Sequence, residues 1–275
     1  MSGSYRQVVF TDLDGTLLDF STYSPAAAAL GLAALRAREV PVVFCSSKTA
    51  GEQRPLREAL GLTGYPFIVE NGSAILVPSD AGLDVSDWPM QAGTDAGERV
   101  RVLGRAAADI RAVVAEIEQE LSLDLAAFGA LGPARVAELT GLDDAGAARA
   151  VARDFSETLA AEISVDDWKR VESRLAQAGL QCRHGGRFHT VTGLGSDKGS
   201  ATREVAALYR TAWGEPIETI GLGDSANDAP LLAAVDRSFL LAHEDGAFAS
   251  IQTPGLIRIA QPGGRGWSEA IARLG

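Results

Sequence analysis

The chain has 275 residues, with 46% hydrophobic and 22% charged residues, enough apolar material for a full core and for more than one domain. Its 25 basic and 36 acidic side chains leave a net charge of −11, a field that repels nucleic acid and anionic lipid, so neither is expected as a partner. Two cysteines are too few for a disulfide framework and suit a reducing cytoplasm, and neither a bilayer-length apolar run nor a secretion signal is apparent.

In chain order, "QVVF" runs as an apolar strand into an acidic turn, and an Ala/Leu helix follows from Pro25 to Arg38. The strand "VPVVFC", the helix "EQRPLREAL" and the strand "PFIV" come next, an alternation that predicts a parallel sheet covered by helices. The stretch from Pro78 to Gly97 and "TGLGS" from Thr192 are linker-like and bracket an insert. The expected division is a first core segment over 1–80, an inserted α/β domain over 81–194 and a second core segment over 195–275.

Within the insert, Ile110, Val113, Val114, Ile117 and Leu121 share one helical face, and Trp168, Val171 and Leu175 share another. Runs at "ERVRVL", "AEISV" and "RFHTVTG" predict a small mixed sheet beneath those helices. After it, a helix over Lys198 to Trp213, the strand "IETIGL", the helix "APLLAAV" and the strands "SFLL" and "LIRIA" return to the core pattern.

The chemistry concentrates at strand ends. In "VVFTDLDGTLLD", Asp12 and Asp14 follow an apolar strand, where side chains converge on the crevice in which open α/β sheets bind ligands. One carboxylate there can attack phosphorus while the other protonates the leaving oxygen and later deprotonates water. A second acidic turn, "IGLGDSANDAPLL", carries Asp224 and Asp228 after another apolar strand, and such carboxylates suit Mg²⁺. Alone, the first turn reads better as solvated helix capping, and the second reads equally well as capping or as a site; their combination favours a site.

"PVVFCSSKTAGEQ" raises the alternative of a cysteine nucleophile. The position where a thiolate phosphatase loop carries its arginine is Gly51, so the anion-binding cation is missing. Were the neighbouring Ser46 to face a site, as a resemblance named below implies, strand alternation would turn Cys45 into the core as a small hydrophobe.

The order "DLDGT", "CSS", "DKG", "GDSAND" resembles the haloacid dehalogenase superfamily of phosphatases over residues 5–77 and 195–275. The resemblance implies a Rossmann-like core, with Asp12 as nucleophile and Asp14 as acid/base that lends its backbone carbonyl to Mg²⁺. It further implies Asp224 as a metal carboxylate, Asp228 completing the acidic site, Ser46 donating to the phosphoryl group and Lys198 neutralising it. The insert is similar to the larger cap of the superfamily. "SSKTAGEQ", "PFIVENGSAI", "ARDFSE" and "CRHGGRFHTVTG" resemble the mannosyl-3-phosphoglycerate phosphatases, which implies a small phosphorylated sugar as substrate; the sequence leaves monomer and homodimer both open.

A second anion on such a substrate invites arginine, so Arg153, Arg183 and Arg187 are candidates, with Gly185 and Gly186 allowing close backbone approach. Ser47, Lys48, Glu70, Asn71, Gly72 and Asn227 complete the substrate-facing candidates. For the glycine pair with its arginines, a plain hairpin turn is the competing reading. His184, His189 and Cys182 lack a fourth zinc ligand, and polar contacts in the cap are the better expectation for the histidines. A sugar phosphatase of other specificity, a phosphomannomutase and a non-catalytic sugar-phosphate binder remain alternatives, with glucosyl-3-phosphoglycerate as a possible additional substrate.

Overall fold

The computed structural model describes residues 5–90, 97–185 and 188–274. Strand β1 (Arg6–Thr11) lies in the middle of a large sheet, flanked by β2 (Val42–Cys45) and β9 (Ile217–Gly223). Beyond β2 come β3 (Phe67–Val69), β4 (Ala74–Pro78) and β5 (Glu98–Val102); beyond β9 come β10 (Arg237–Leu241) and β11 (Ile257–Ile259). From β11 across to β3 every pairing is parallel, whereas β3–β4 and β4–β5 are antiparallel.

Alternation along β1 divides the core into two layers. Val9 packs on one face with α1 (Ala29–Ala37), α2 (Ala50–Ala59) and α9 (Gly263–Ala272); Val8 and Phe10 pack on the other with α7 (Lys198–Trp213) and α8 (Ala229–Ala233). Trp267, wholly buried on α9, donates its indole N–H to Thr11 Oγ1 at 2.9 Å. Cys45 lies wholly buried opposite α7, as its position on β2 predicts.

A three-stranded antiparallel sheet, in the order β6 (Glu157–Leu159), β8 (Phe188–Gly193), β7 (Leu180–Gly185), forms a second body. The apolar stripes of α3 (Ala107–Leu121) and α6 (Val165–Gln177) pack on it through Ile110, Val114, Ile117, Val171 and Leu175. Two helices that the sequence pattern does not announce, α4 (Phe128–Thr140) and α5 (Asp144–Val151), form a separate small cluster. Helix α4 is interrupted at Gly132, in the left-handed region at φ 74°, just before Pro133.

Two strand expectations are corrected. The run at 98–102 extends the large sheet, because Glu98, 3% exposed, is held by Arg54 at 2.7 Å and Arg57 at 3.5 Å from α2. The run "AEISV" is no strand: the β structure ends at Leu159, and Ser164 caps α6 by accepting from the Asp167 N–H.

Candidate active site

The chain passes from β1 to β2 and β3 on one side and later returns to β9, β10 and β11 on the other. The crevice between β1 and β9 is therefore a topological switch point. Thr11 is in register with Leu222, so Asp12 and Asp224, one step past these neighbouring strands, face each other although far apart in sequence. The Asp12 N–H donates to the Leu222 carbonyl at 3.0 Å, which fixes the exit of β1.

The third carboxylate, Asp228, comes from the 3-10 turn Ala226–Asp228. One oxygen from each of Asp12, Asp224 and Asp228 lies within 4.8 Å of the others. Lys198, at the start of α7 and fully buried, donates to Asp12 Oδ1 and to Asp228 Oδ1, each at 2.6 Å. Asp228 Oδ2 accepts from the Asp224 and Ser225 N–H groups at 3.0 Å each, so this carboxylate also shapes the turn that presents Asp224.

Three carboxylates thus meet one ammonium, an excess of two negative charges in a buried space. Burial, opposed by Lys198, pushes Asp12 up to about 7, with Asp228 adding to the rise. Burial and the neighbouring Asp228 and Asp12 raise Asp224 well above the usual carboxylate range. Burial alone would lower Lys198, but Asp12 and Asp228 raise it, so its ammonium stays charged. All-oxygen donors with two surplus negative charges fit a hard divalent cation.

Glycine is required at the bend between the acidic groups. Gly15 has φ +81°, and a Cβ there would come within 2.7 Å of Asp224 Oδ2. Thr16, to which the sequence reading gave no role, donates to Asp224 Oδ1 at 2.6 Å, and His243 Nε2 lies 2.9 Å from the Asp224 carbonyl oxygen. Asp14 pairs with Lys48 at 2.8 Å through Oδ2, while its Oδ1 is buried with no hydrogen-bond partner among the described residues.

Most of the remaining candidates meet in one cleft. Asp12, Asp14, Ser47, Lys48, Asn71, Asp224 and Asn227 line its floor; Arg153 and Arg183 line it from the side of the small sheet. Asn227 donates to Asn71 Oδ1 at 3.1 Å, joining the two polar turns. Ser46 is 1% exposed beneath this floor and accepts from the Lys48 N–H at 3.2 Å. Arg183 donates from Nη2 to Gln181 Oε1 at 3.3 Å, while its Nε is buried with no hydrogen-bond partner among the described residues, leaving an N–H of the guanidinium for an anion.

Other candidates have different surroundings. Gly72, at φ +88°, lies against α7, where a Cβ would fall 2.1 Å from the Asp197 carbonyl oxygen; its role is to let α7 approach rather than to touch ligand. The Glu70 carboxylate is 1% exposed and accepts from Asp154 N–H, Phe155 N–H and Ser156 Oγ, so its oxygens are engaged by the protein itself. Gly185 ends β7 opposite Phe188, while Gly186 and Arg187 lie outside the described residues.

His184 and His189 pair across β7 and β8 on the face opposite Arg183, Phe188 and Thr190, and His189 stacks on Trp168 with ring centroids 3.7 Å apart. They are not cleft contacts. Aromatic residues that sequence reasoning missed, Phe20, Tyr23, Phe128 and Phe188, form walls of the cleft; no motif spacing marks them, because they converge only through tertiary packing.

This constellation on a doubly wound sheet defines a class, and the comparisons agree: the family of haloacid dehalogenase-like hydrolases matches residues 9–91. The chain belongs to this family. It is 34% identical over 267 residues to a glucosyl-3-phosphoglycerate/mannosyl-3-phosphoglycerate phosphatase of Persephonella marina, covering 97% of this chain and 96% of that one. Its identity to a phosphatase of the same description from Methanococcoides burtonii is 35% over 271 residues, covering 98% and 97%. A solved haloacid dehalogenase-like hydrolase from Bacteroides thetaiotaomicron shares the fold with a TM-score of 0.63 at 16% identity, covering 99% and 100% of the two chains.

Proposed function

We propose that the chain is a metal-dependent phosphatase that hydrolyses mannosyl-3-phosphoglycerate, and its glucosyl counterpart, to the glycosylglycerate and phosphate. The observation that carries this is the meeting of Asp12, Asp224 and Asp228 around Lys198, in a chain matched over nearly its whole length by phosphatases of that description.

The Asp12 carboxylate oxygen attacks phosphorus; an O–P bond to Asp12 forms as the bond to the glycerate oxygen breaks, and that oxygen takes a proton from Asp14. Asp14 then accepts a proton from water as the water oxygen attacks phosphorus and the Asp12–phosphorus bond breaks. Ser46 and Lys198 hold the phosphoryl oxygens and the nucleophile in place. Mg²⁺ held by Asp12, Asp224 and the Asp14 backbone carbonyl, within the charge of Asp228, would screen the approaching dianion and stabilise charge on the transferred group.

The segment between β5 and α7 serves as a cap. Its first boundary falls after Val102 rather than at 81, since β5 belongs to the large sheet. Arg183 receives the glycerate carboxylate, with Lys48 available once an incoming anion draws it from Asp14. Phosphate release from the two glycosyl-3-phosphoglycerates, compared with other sugar phosphates, tests the reading. Faster turnover of an unrelated sugar phosphate would overturn the substrate, and exchange of phosphate between sugar positions without release would overturn the reaction.

A further inference from the structure

Arg153 lines the cleft, yet its guanidinium is occupied before any ligand arrives. Nε donates to Ser156 Oγ at 2.8 Å, Nη1 to the Ala150 carbonyl at 3.4 Å and Nη2 to the Ser47 carbonyl at 2.6 Å. Glu70 lies 3.8 Å away and binds the same cap segment through Asp154 N–H at 3.0 Å, Phe155 N–H at 3.1 Å and Ser156 Oγ at 2.5 Å. Both side chains are buried, Arg153 at 8% exposure and Glu70 at 1%. Such a pair holds its geometry tightly, because losing either partner strands the other's charge.

The network ends on the loop after β2. Ser46 O accepts from Asn71 N–H at 3.0 Å, Ser47 O from Arg153, and Lys48 O from Glu70 N–H at 3.1 Å and Gln53 Nε2 at 3.1 Å. All three carbonyls of the loop are therefore anchored, two by core residues next to β3 and one by the cap. Strand β6 begins at Glu157, directly after this segment, and carries Thr158 into the cleft beside Thr190, whose other neighbour is Arg183.

We infer that Arg153, oriented by Glu70, is a positioning residue that couples the seating of the cap to the geometry of the phosphate-facing loop Ser46–Lys48, rather than a contact for the substrate's second anion. The inference rests on the phosphatase reading above. A sugar and carboxylate gripped by the cap would thereby set the loop for phosphoryl transfer at the other end of the molecule.

p-Nitrophenyl phosphate, which has neither sugar nor glycerate, separates the two roles. Positioning predicts that Arg153→Ala lowers kcat about 10–100-fold for both this ester and mannosyl-3-phosphoglycerate, leaving KM within about threefold, as small misplacements near reacting atoms do. Glu70→Gln is expected to give the same pattern more weakly, and Arg153→Lys to recover part of the loss. A raised KM for the sugar ester with unchanged p-nitrophenyl phosphate turnover would make Arg153 a substrate contact and overturn the inference.

A wild-type measurement guards against misfolded variants: vanadate with Mg²⁺, bound at the phosphoryl position, should slow amide hydrogen exchange over 150–157, and unchanged exchange there contradicts the coupling. Wild-type protein that turned over neither ester would instead sink the phosphatase reading itself.

Discussion

Single residues on this scaffold divide by whether their charge is already spent. Cys45 is the clearest case. Burial pushes its thiol from 9.0 up to about 12, so hardly any thiolate exists at neutral pH and the residue is inert although it neighbours a phosphate loop. Iodoacetamide is expected to leave Cys45 unlabelled in the native protein and to label it in urea, with mass spectrometry as the readout, and Cys45→Ala to retain turnover. Native labelling with loss of activity would revive the thiol reading. Because the folded-state value is the raised one, Cys45 contributes stability that is fully present below about 9 and is lost as pH rises towards about 12. Asp12, Asp14, Lys198 and Asp224 were legible in the sequence because each sits at a strand end or helix start inside a short motif. Arg153 and Glu70 were legible as candidates for the substrate's surroundings, but the contacts that engage them were not, since Ser47 lies 106 residues from Arg153 and Ser156 lies 86 from Glu70, and only the fold brings them together.

At the scale of elements, the site depends on how closely α7 approaches the turn after β3. Asp197 and Ser200 form a reciprocal cap at the start of α7, which fixes where Lys198 points. Gly72 makes room for that cap, and Asn71 beside it adopts φ 59° to bond Ser46 O. Gly72→Ala is expected to cost about 2 kcal/mol or more in urea unfolding, because a Cβ would strike backbone rather than a movable side chain. Activity per folded molecule should also fall as Lys198 shifts. A variant of wild-type stability would show that the approach of α7 can relax. Period-2 and period-3.6 patterns made the parallel strands, α3, α6 and α7 readable in advance. They could not place β5, whose neighbour is decided by the burial of Glu98 between two arginines, nor α4, where Gly132 and Pro133 break the pattern.

For the whole molecule, the surplus negative charge of the site links stability, metal and catalysis. With no cation bound, the raised values of Asp12 and Asp224 stabilise the folded chain fully only below the ordinary carboxylate value of 3.8; the Asp12 contribution is lost as pH rises through about 7, and that of Asp224 is lost in the same direction. The Tm of the EDTA-treated protein should therefore fall between about pH 5 and about pH 8 more steeply than that of the Mg²⁺-loaded protein. Asp224→Asn is expected to raise the metal-free Tm by relieving repulsion, to abolish the Tm gain from Mg²⁺ and to remove turnover, a trade of activity for stability. A Tm gain from Mg²⁺ that survives the substitution would place the metal elsewhere. The most direct test of the account traps the nucleophile: borohydride is added during turnover of mannosyl-3-phosphoglycerate with Mg²⁺, and residue 12 is examined by peptide mass spectrometry. Recovery of residue 12 as homoserine, dependent on substrate and metal, is the predicted result; an unmodified Asp12, together with undiminished turnover by Asp12→Asn, would contradict it.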